Sequence, residues 1–104
     1  MILVLGSVVT KVGNTAEALA ISQGHVMRSR AEKGCLSHAV HQDTGNPQRL
    51  VFVEQWSSSN ALWEHFKVPG SRAFAKALAG LATVVPTVQT YEATKIALMG
   101  KNAV

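Results

Sequence analysis

His65 is the first residue in the sequence to suggest chemistry. It follows Trp63 by two positions and shares a helical face with Leu62 and Phe66, so its imidazole can point into an apolar cavity as a proton acceptor near neutral pH. Glu54 alternates with Phe52 and Trp56 on one face of an extended run. A carboxylate among such neighbours has its pKa raised by burial unless an Arg or Lys reaches it, which leaves it open as a second base or as half of a salt bridge. His38 and His41 stand three apart in another extended stretch and so face opposite sides. They cannot hold one metal ion together: one can line a pocket, while the other faces solvent. His25 sits mid-helix among polar residues and reads as solvated. Trp56 and Trp63 serve as core or interface anchors or as platforms for a stacked ligand, and Tyr91 offers a hydroxyl donor or edge packing. Cys35 has no second cysteine to pair with, and neither a CxxC pair nor Cys/His zinc spacing is present. It reads as a small buried hydrophobe, and no metal is expected.

The elements that must position these side chains follow from periodicity and turn chemistry. Residues 2–10 (ILVLGSVVT) are β-branched and aliphatic, as a strand requires, and Gly13 and Asn14 supply a turn. Asn14 can cap a helix with Glu17 three residues on, and Ala16, Leu19, Ala20, Val26, Met27 and Ala31 recur at helical spacing as far as Lys33 and Gly34. Residues 35–42 (CLSHAVHQ) alternate imperfectly. The turn cluster from Asp43 to Pro47 then makes them one arm of a hairpin whose return, residues 49–56 (RLVFVEQW), is the strongest strand signal in the chain. Serines 57, 58 and 59 offer caps to a short helix over 60–68, stopped by Pro69 and Gly70. A second helical piece over 71–83 carries Phe74, Ala77, Leu78 and Leu81 as one stripe, and residues 84–95 read as a last strand with Pro86 at its start or on an edge.

The order β-α-β-β-α-β is the split βαβ or ferredoxin-like motif, an α+β fold with an antiparallel four-stranded sheet and its helices on one face. The chain has 104 residues, room for one domain over 1–104 and one core. Large residues on both faces of strand three leave an apolar sheet face to be covered, and a second copy packed face to face is the simplest cover. The chain is 47% hydrophobic and 15% charged, which excludes disorder and fibrous classes. A net charge of +4 is scattered rather than clustered with aromatics, which argues against nucleic-acid binding while still drawing anionic or phenolate-like molecules toward the surface. No apolar run is long enough to span a bilayer and no basic leader is visible, so no membrane partner and a cytoplasmic location are expected. A loose tail is expected from Lys101 onward.

The segments EKGCLSHAVHQD (32–43), RLVFVEQW (49–56), SSSNALWEHF (57–66) and SRAFAKAL (71–78) resemble the antibiotic biosynthesis monooxygenase family, over roughly residues 1–94. The telling pieces are the Gly-Cys-Leu opening of strand two, the Glu-Gln-Trp end of strand three and the His of the helix after it. The resemblance implies a dimeric α+β barrel with a pocket in each subunit between sheet and helices. It also implies, for some members, oxidation of aromatic polyketides or quinols by molecular oxygen without metal or flavin. There the electron-rich substrate anion reduces oxygen itself, and the protein supplies a dry, orienting cavity. Polyketide-oxidising members resemble one another in an Asn and a Trp four residues apart on strand three with a Tyr on the next helix; the matching positions here are Phe52, Trp56 and Leu62. The haem-degrading branch resembles instead an Asn on strand one with a Trp and a His on the later helices; here Ser7 replaces the Asn and His65 falls near the Trp position, which disfavours haem degradation.

The expectation is a cofactor-independent monooxygenase of a small phenolic, quinol or polyketide-like substrate. His65 and Glu54 are its catalytic candidates, and Ser7, His38, Phe52, Trp56, Leu62, Trp63 and Tyr91 contact the substrate. The alternatives are an isomerase or lyase on the same fold, which moves a proton without oxygen, and a homodimer that binds a small aromatic or hydrophobic ligand without turning it over.

Overall fold

The structure, a computed structural model, describes residues 1–98. The tail expected to be loose from Lys101 lies outside the described residues. The elements in chain order are β1 (Ile2–Val9), α1 (Thr15–Arg30), β2 (Cys35–Gln42), β3 (Arg49–Trp56), α2 (Ser59–Lys67), α3 (Pro69–Leu81) and β4 (Thr87–Glu92). The strands form one antiparallel sheet in the order β2-β3-β1-β4, the ferredoxin-like topology, with the helices on one face.

The ends of the helices show where local chemistry wins and where it does not. Ser58 caps α2, its Oγ accepting the Ala61 N–H at 3.1 Å. Asn14 precedes α1 without a side-chain cap, so the expected capping box is not formed. Val68 is extended, as a residue before proline must be, so α2 stops there and Pro69 opens α3, where its missing N–H costs nothing. The final strand, Thr87–Glu92, is shorter than the expected 84–95: Val84, Val85 and Pro86, the last with no N–H to donate, precede its pairing with β1, and residues 93–95 follow it.

The buried face of α1 corrects the expected stripe. Ala18, Ser22, His25, Val26 and Ser29 face inward, whereas Met27 is exposed. Small hydroxyls let the helix lie close to the sheet; Ser29 turns its hydroxyl back to the His25 carbonyl at 2.7 Å. Helix α1 therefore presents an imidazole to the interior where a larger apolar residue would be ordinary.

Strand β3 alternates perfectly. Leu50, Phe52, Glu54 and Trp56 are buried under the helices, while Val51, Val53 and Gln55 are half-buried on the other face. Strand β2 changes parity at a bulge between Cys35 and Ser37, which explains its imperfect alternation. The bulge lets both Cys35 and His38 point inward and leaves Leu36 exposed. Two clusters fill the interior: Val8, Ala18, Leu50, Phe52, Leu78 and Ala82 at one end, and Val4, Trp56 and Leu62 at the other.

Gly34 joins α1 to β2 with φ +86°, and a Cβ there would lie 2.5 Å from the Ala61 Cβ and 2.8 Å from the Ser57 Oγ. Only glycine fits both the backbone and the approach of α2.

Candidate active site

Between the two apolar clusters the interior turns polar. His25 from α1, His38 from β2 and His65 from α2 converge, with ring centroids 5.2–5.8 Å apart. Each is nearly or fully buried. The reading of His25 as solvated is thus overturned: a helix that packs through small residues turns this imidazole inward, where it stacks on Phe74 at 4.0 Å with the rings nearly parallel. Burial, followed by the neighbouring His38 and His65, lowers the His25 pKa to about 4, and Glu54 offsets only part of this.

The β2–β3 register sets His38 opposite Glu54. Glu54 Oε1 accepts the Trp56 indole N–H at 2.9 Å and lies in close polar contact, at 3.2 Å, with His38 Nε2. Burial pushes the Glu54 carboxyl upward, yet His38, the Trp56 N–H and His65 together outweigh it and leave the pKa below the usual glutamate value. An indole and imidazoles, rather than Arg or Lys, thus hold this buried carboxylate ionised.

His65 is fixed from behind. Its Nδ1 lies 2.8 Å from Glu32 Oε1, and the Ser71 hydroxyl is 3.5 Å from the same nitrogen. Because an ionised carboxylate only accepts, Nδ1 is the donor in this contact, so in the neutral ring the lone pair lies on Nε2. The ring also packs against Trp56 with a centroid separation of 4.6 Å.

A cavity of about 330 Å³ opens beside this group, between α3 and the β1–β4 side of the sheet. Glu54, His25, His65 and Ser71 form its polar wall; Phe52, Phe74, Leu78 and Val88 are among its apolar lining, and Val85 and Pro86 stand at its rim. Gly6 floors it, since a side chain there would project beside Phe52.

The expected residues distribute unevenly around this space. Phe52, Glu54 and His65 line it, and Ser7 borders it, although alternation along β1 sends the Ser7 side chain to the opposite face. His38, Trp56 and Leu62 are buried behind it. Trp63 and Tyr91 are not brought to the cavity: Trp63 is 62% exposed on the outer face of α2, and Tyr91 pairs with Leu3 on the face away from the helices, its hydroxyl donating to Gln89. His41 is exposed, opposite in facing to His38. Cys35 is half-buried, and burial, with Glu54 and Glu32, raises its pKa, which fits an unreactive thiol. The sequence reading missed His25, Glu32, Ser71 and the cavity role of Phe74. The one available signal for His25 was its position three and seven residues after Ser22 and Ala18 on a helix with small residues along that stripe.

The fold and cavity define an α+β protein with a pocket between its sheet and helices. The chain belongs to the antibiotic biosynthesis monooxygenase family, which it matches over residues 1–77. It is similar to a protein of Deinococcus radiodurans provisionally named an antibiotic biosynthesis monooxygenase, with TM-score 0.87, 24% identity and coverage of 92% of this chain and 95% of that one. A conserved protein from Methanosarcina mazei Go1 has the same fold, with TM-score 0.85, 19% identity and coverage of 89% and 92%. An uncharacterised protein of Synechocystis is 29% identical over 91 residues, 88% of this chain; the chain spans only 62% of that relative's length. No helix among the described residues is long and apolar enough to cross a membrane.

Proposed function

We propose that this chain is a monooxygenase of a small, electron-rich phenolic, quinol or polyketide-like molecule. The observation that carries this reading is a cavity of about 330 Å³, at the small end of the range for ligand pockets, whose walls are apolar except where His65, Glu54 and His25 meet. Such a space orients an aromatic ring, excludes water and offers a base at one side.

In this scheme His65 Nε2 accepts a proton from the substrate, and Glu32 balances the resulting imidazolium. The substrate anion gives its electrons to molecular oxygen. In an anthrone-like case a ring CH₂ becomes C=O and the second oxygen atom leaves as water, so the substrate supplies all four electrons. Glu54, ionised and tied to Trp56 and His38, acts as a fixed charge at the polar wall rather than as the proton acceptor. Phe52 and Leu62 stand where polyketide-oxidising relatives resemble one another in polar groups, which favours a substrate recognised more by its ring than by a carbonyl.

The working form is a homodimer of the single domain. The sheet face away from the helices carries Leu3, Leu5, Val51, Val53 and Tyr91, an apolar surface that a second sheet would cover. Sedimentation showing only monomer at high concentration would remove this part.

Oxygen-electrode assays with anthrone and a panel of naphthoquinols test the reaction. Oxygen uptake matched by oxidised product supports it. Equal conversion without oxygen would replace it with an isomerase, and binding without conversion would leave a ligand-binding protein.

A further inference from the structure

We propose that His25, His38 and His65 form a binding site for one divalent transition-metal ion of the imidazole-preferring kind, such as Zn²⁺, Fe²⁺ or Co²⁺. One nitrogen from each ring lies within 4.8 Å of the others. At that outer limit a central ion is about 2.8 Å from each nitrogen, so ring shifts of under about 1 Å reach a metal–imidazole bond length.

The second observation is His38 itself. It is 1% exposed; its Nδ1 has no hydrogen-bond partner and its Nε2 has only the 3.2 Å contact to Glu54, a costly state for a buried group. A metal at the centre of the triad gives one of these nitrogens its partner.

The surroundings have the form of an outer coordination shell. Glu32 holds Nδ1 of His65 and so presents the Nε2 lone pair, as carboxylates behind metal-bound imidazoles do. Glu54 lies 3.2 Å from His38 Nε2. Three neutral imidazoles with two carboxylates one contact out balance the charge of a buried divalent cation. Stacking on Phe74 fixes the third ring. The three ligands come from α1, β2 and α2, which is why no linear spacing announces them.

His25 and His65 also line the cavity, so a bound ion borders it. His65 has one lone pair to offer, to a metal or to a substrate proton. Metal loading therefore opposes the proton transfer of the preceding section, but the site itself is independent of that reading and is tested without substrate.

The test is titration of the full-length, chelator-stripped protein with Co²⁺, followed by its visible ligand-field bands, and of ¹⁵N-histidine-labelled protein with Zn²⁺, followed by ring-nitrogen NMR. One Co²⁺ per chain is expected, with Zn²⁺ shifting the ring signals of His25, His38 and His65 but not His41. His38→Ala should weaken binding by more than about 100-fold and Glu32→Gln by about 10-fold, the latter being the loss typical of a group behind a ligand. Unmoved ring signals in the wild-type chain, shifts at His41 alone, or undiminished binding in folded His38→Ala would overturn the site. The NMR measurement needs no variant, so a core substitution that fails to fold does not blunt the test.

Discussion

Glu32 and His65 lie 33 residues apart in the chain and 2.8 Å apart in space, and this contact makes Nδ1 the donor nitrogen of the imidazole at the cavity wall. Glu32 sits just beyond α1, its own N–H donating to the Ser29 carbonyl as the Ala31 N–H donates to that of Arg28; His65 is in the last turn of α2. The pair therefore depends on how the α1–β2 turn packs against α2.

Removing either partner separates base from positioning group. His65→Ala should lower the rate of oxygen uptake by about 100-fold or more, the usual worth of a general base. Glu32→Gln should lower it by about 10-fold, because an amide cannot balance the charge that forms as His65 takes the substrate proton. Steady-state kinetics on metal-free protein decide it; wild-type rates in both variants would remove the pair from the chemistry.

Gly34→Ala should destabilise the fold by roughly 2–4 kcal/mol, since the added methyl meets Ala61 and the backbone is held at positive φ. Urea denaturation checks this. A change below about 0.5 kcal/mol would show that α2 can yield at that contact without cost.

The cavity floor gives a cleaner handle on binding. A Cβ at Gly6 makes only ordinary contacts, at 3.4 Å from the Phe52 Cβ and 3.7 Å from the Thr87 carbonyl, so Gly6→Ala should fold normally. Gly6→Leu fills the space and should cut ligand affinity by about 100-fold at a modest cost in stability. Fluorescence titration with an aromatic ligand reads the loss; unchanged affinity in Gly6→Leu would place the ligand elsewhere.

Acid should loosen the metal-free chain through His25. The unfolded chain takes up a proton there near pH 6.5 and the folded chain only near 4, so stability is complete above 6.5 and falls as the pH drops, by roughly 3 kcal/mol below 4. His38, His65 and Arg28 depress the value and Glu54 partly restores it. Stability measured from pH 7 to 4 should therefore slope less in His25→Gln than in wild type; identical slopes would mean that another group carries the acid sensitivity.

The sequence by itself determined the order of elements and the inward face of β3, because alternation of Leu50, Phe52, Glu54 and Trp56 is a local property of an extended chain and the turn residues at 43–47 are local too. It also marked His65, Glu54 and Phe52, whose faces follow from spacing alone. Tertiary structure decided the rest. His25 is buried because Ser22 and Ser29 let α1 settle close to the sheet, and His38 points inward because a bulge resets the parity of β2; neither is written in periodicity. Trp63 and Tyr91, large and aromatic in sequence, lie outside the cavity because the face each residue occupies is set by the packing of α2 and the pairing of β4 with β1. Three histidines spread over 41 positions became one cluster only when three separate elements closed around the same point. Long-range packing alone supplies that convergence.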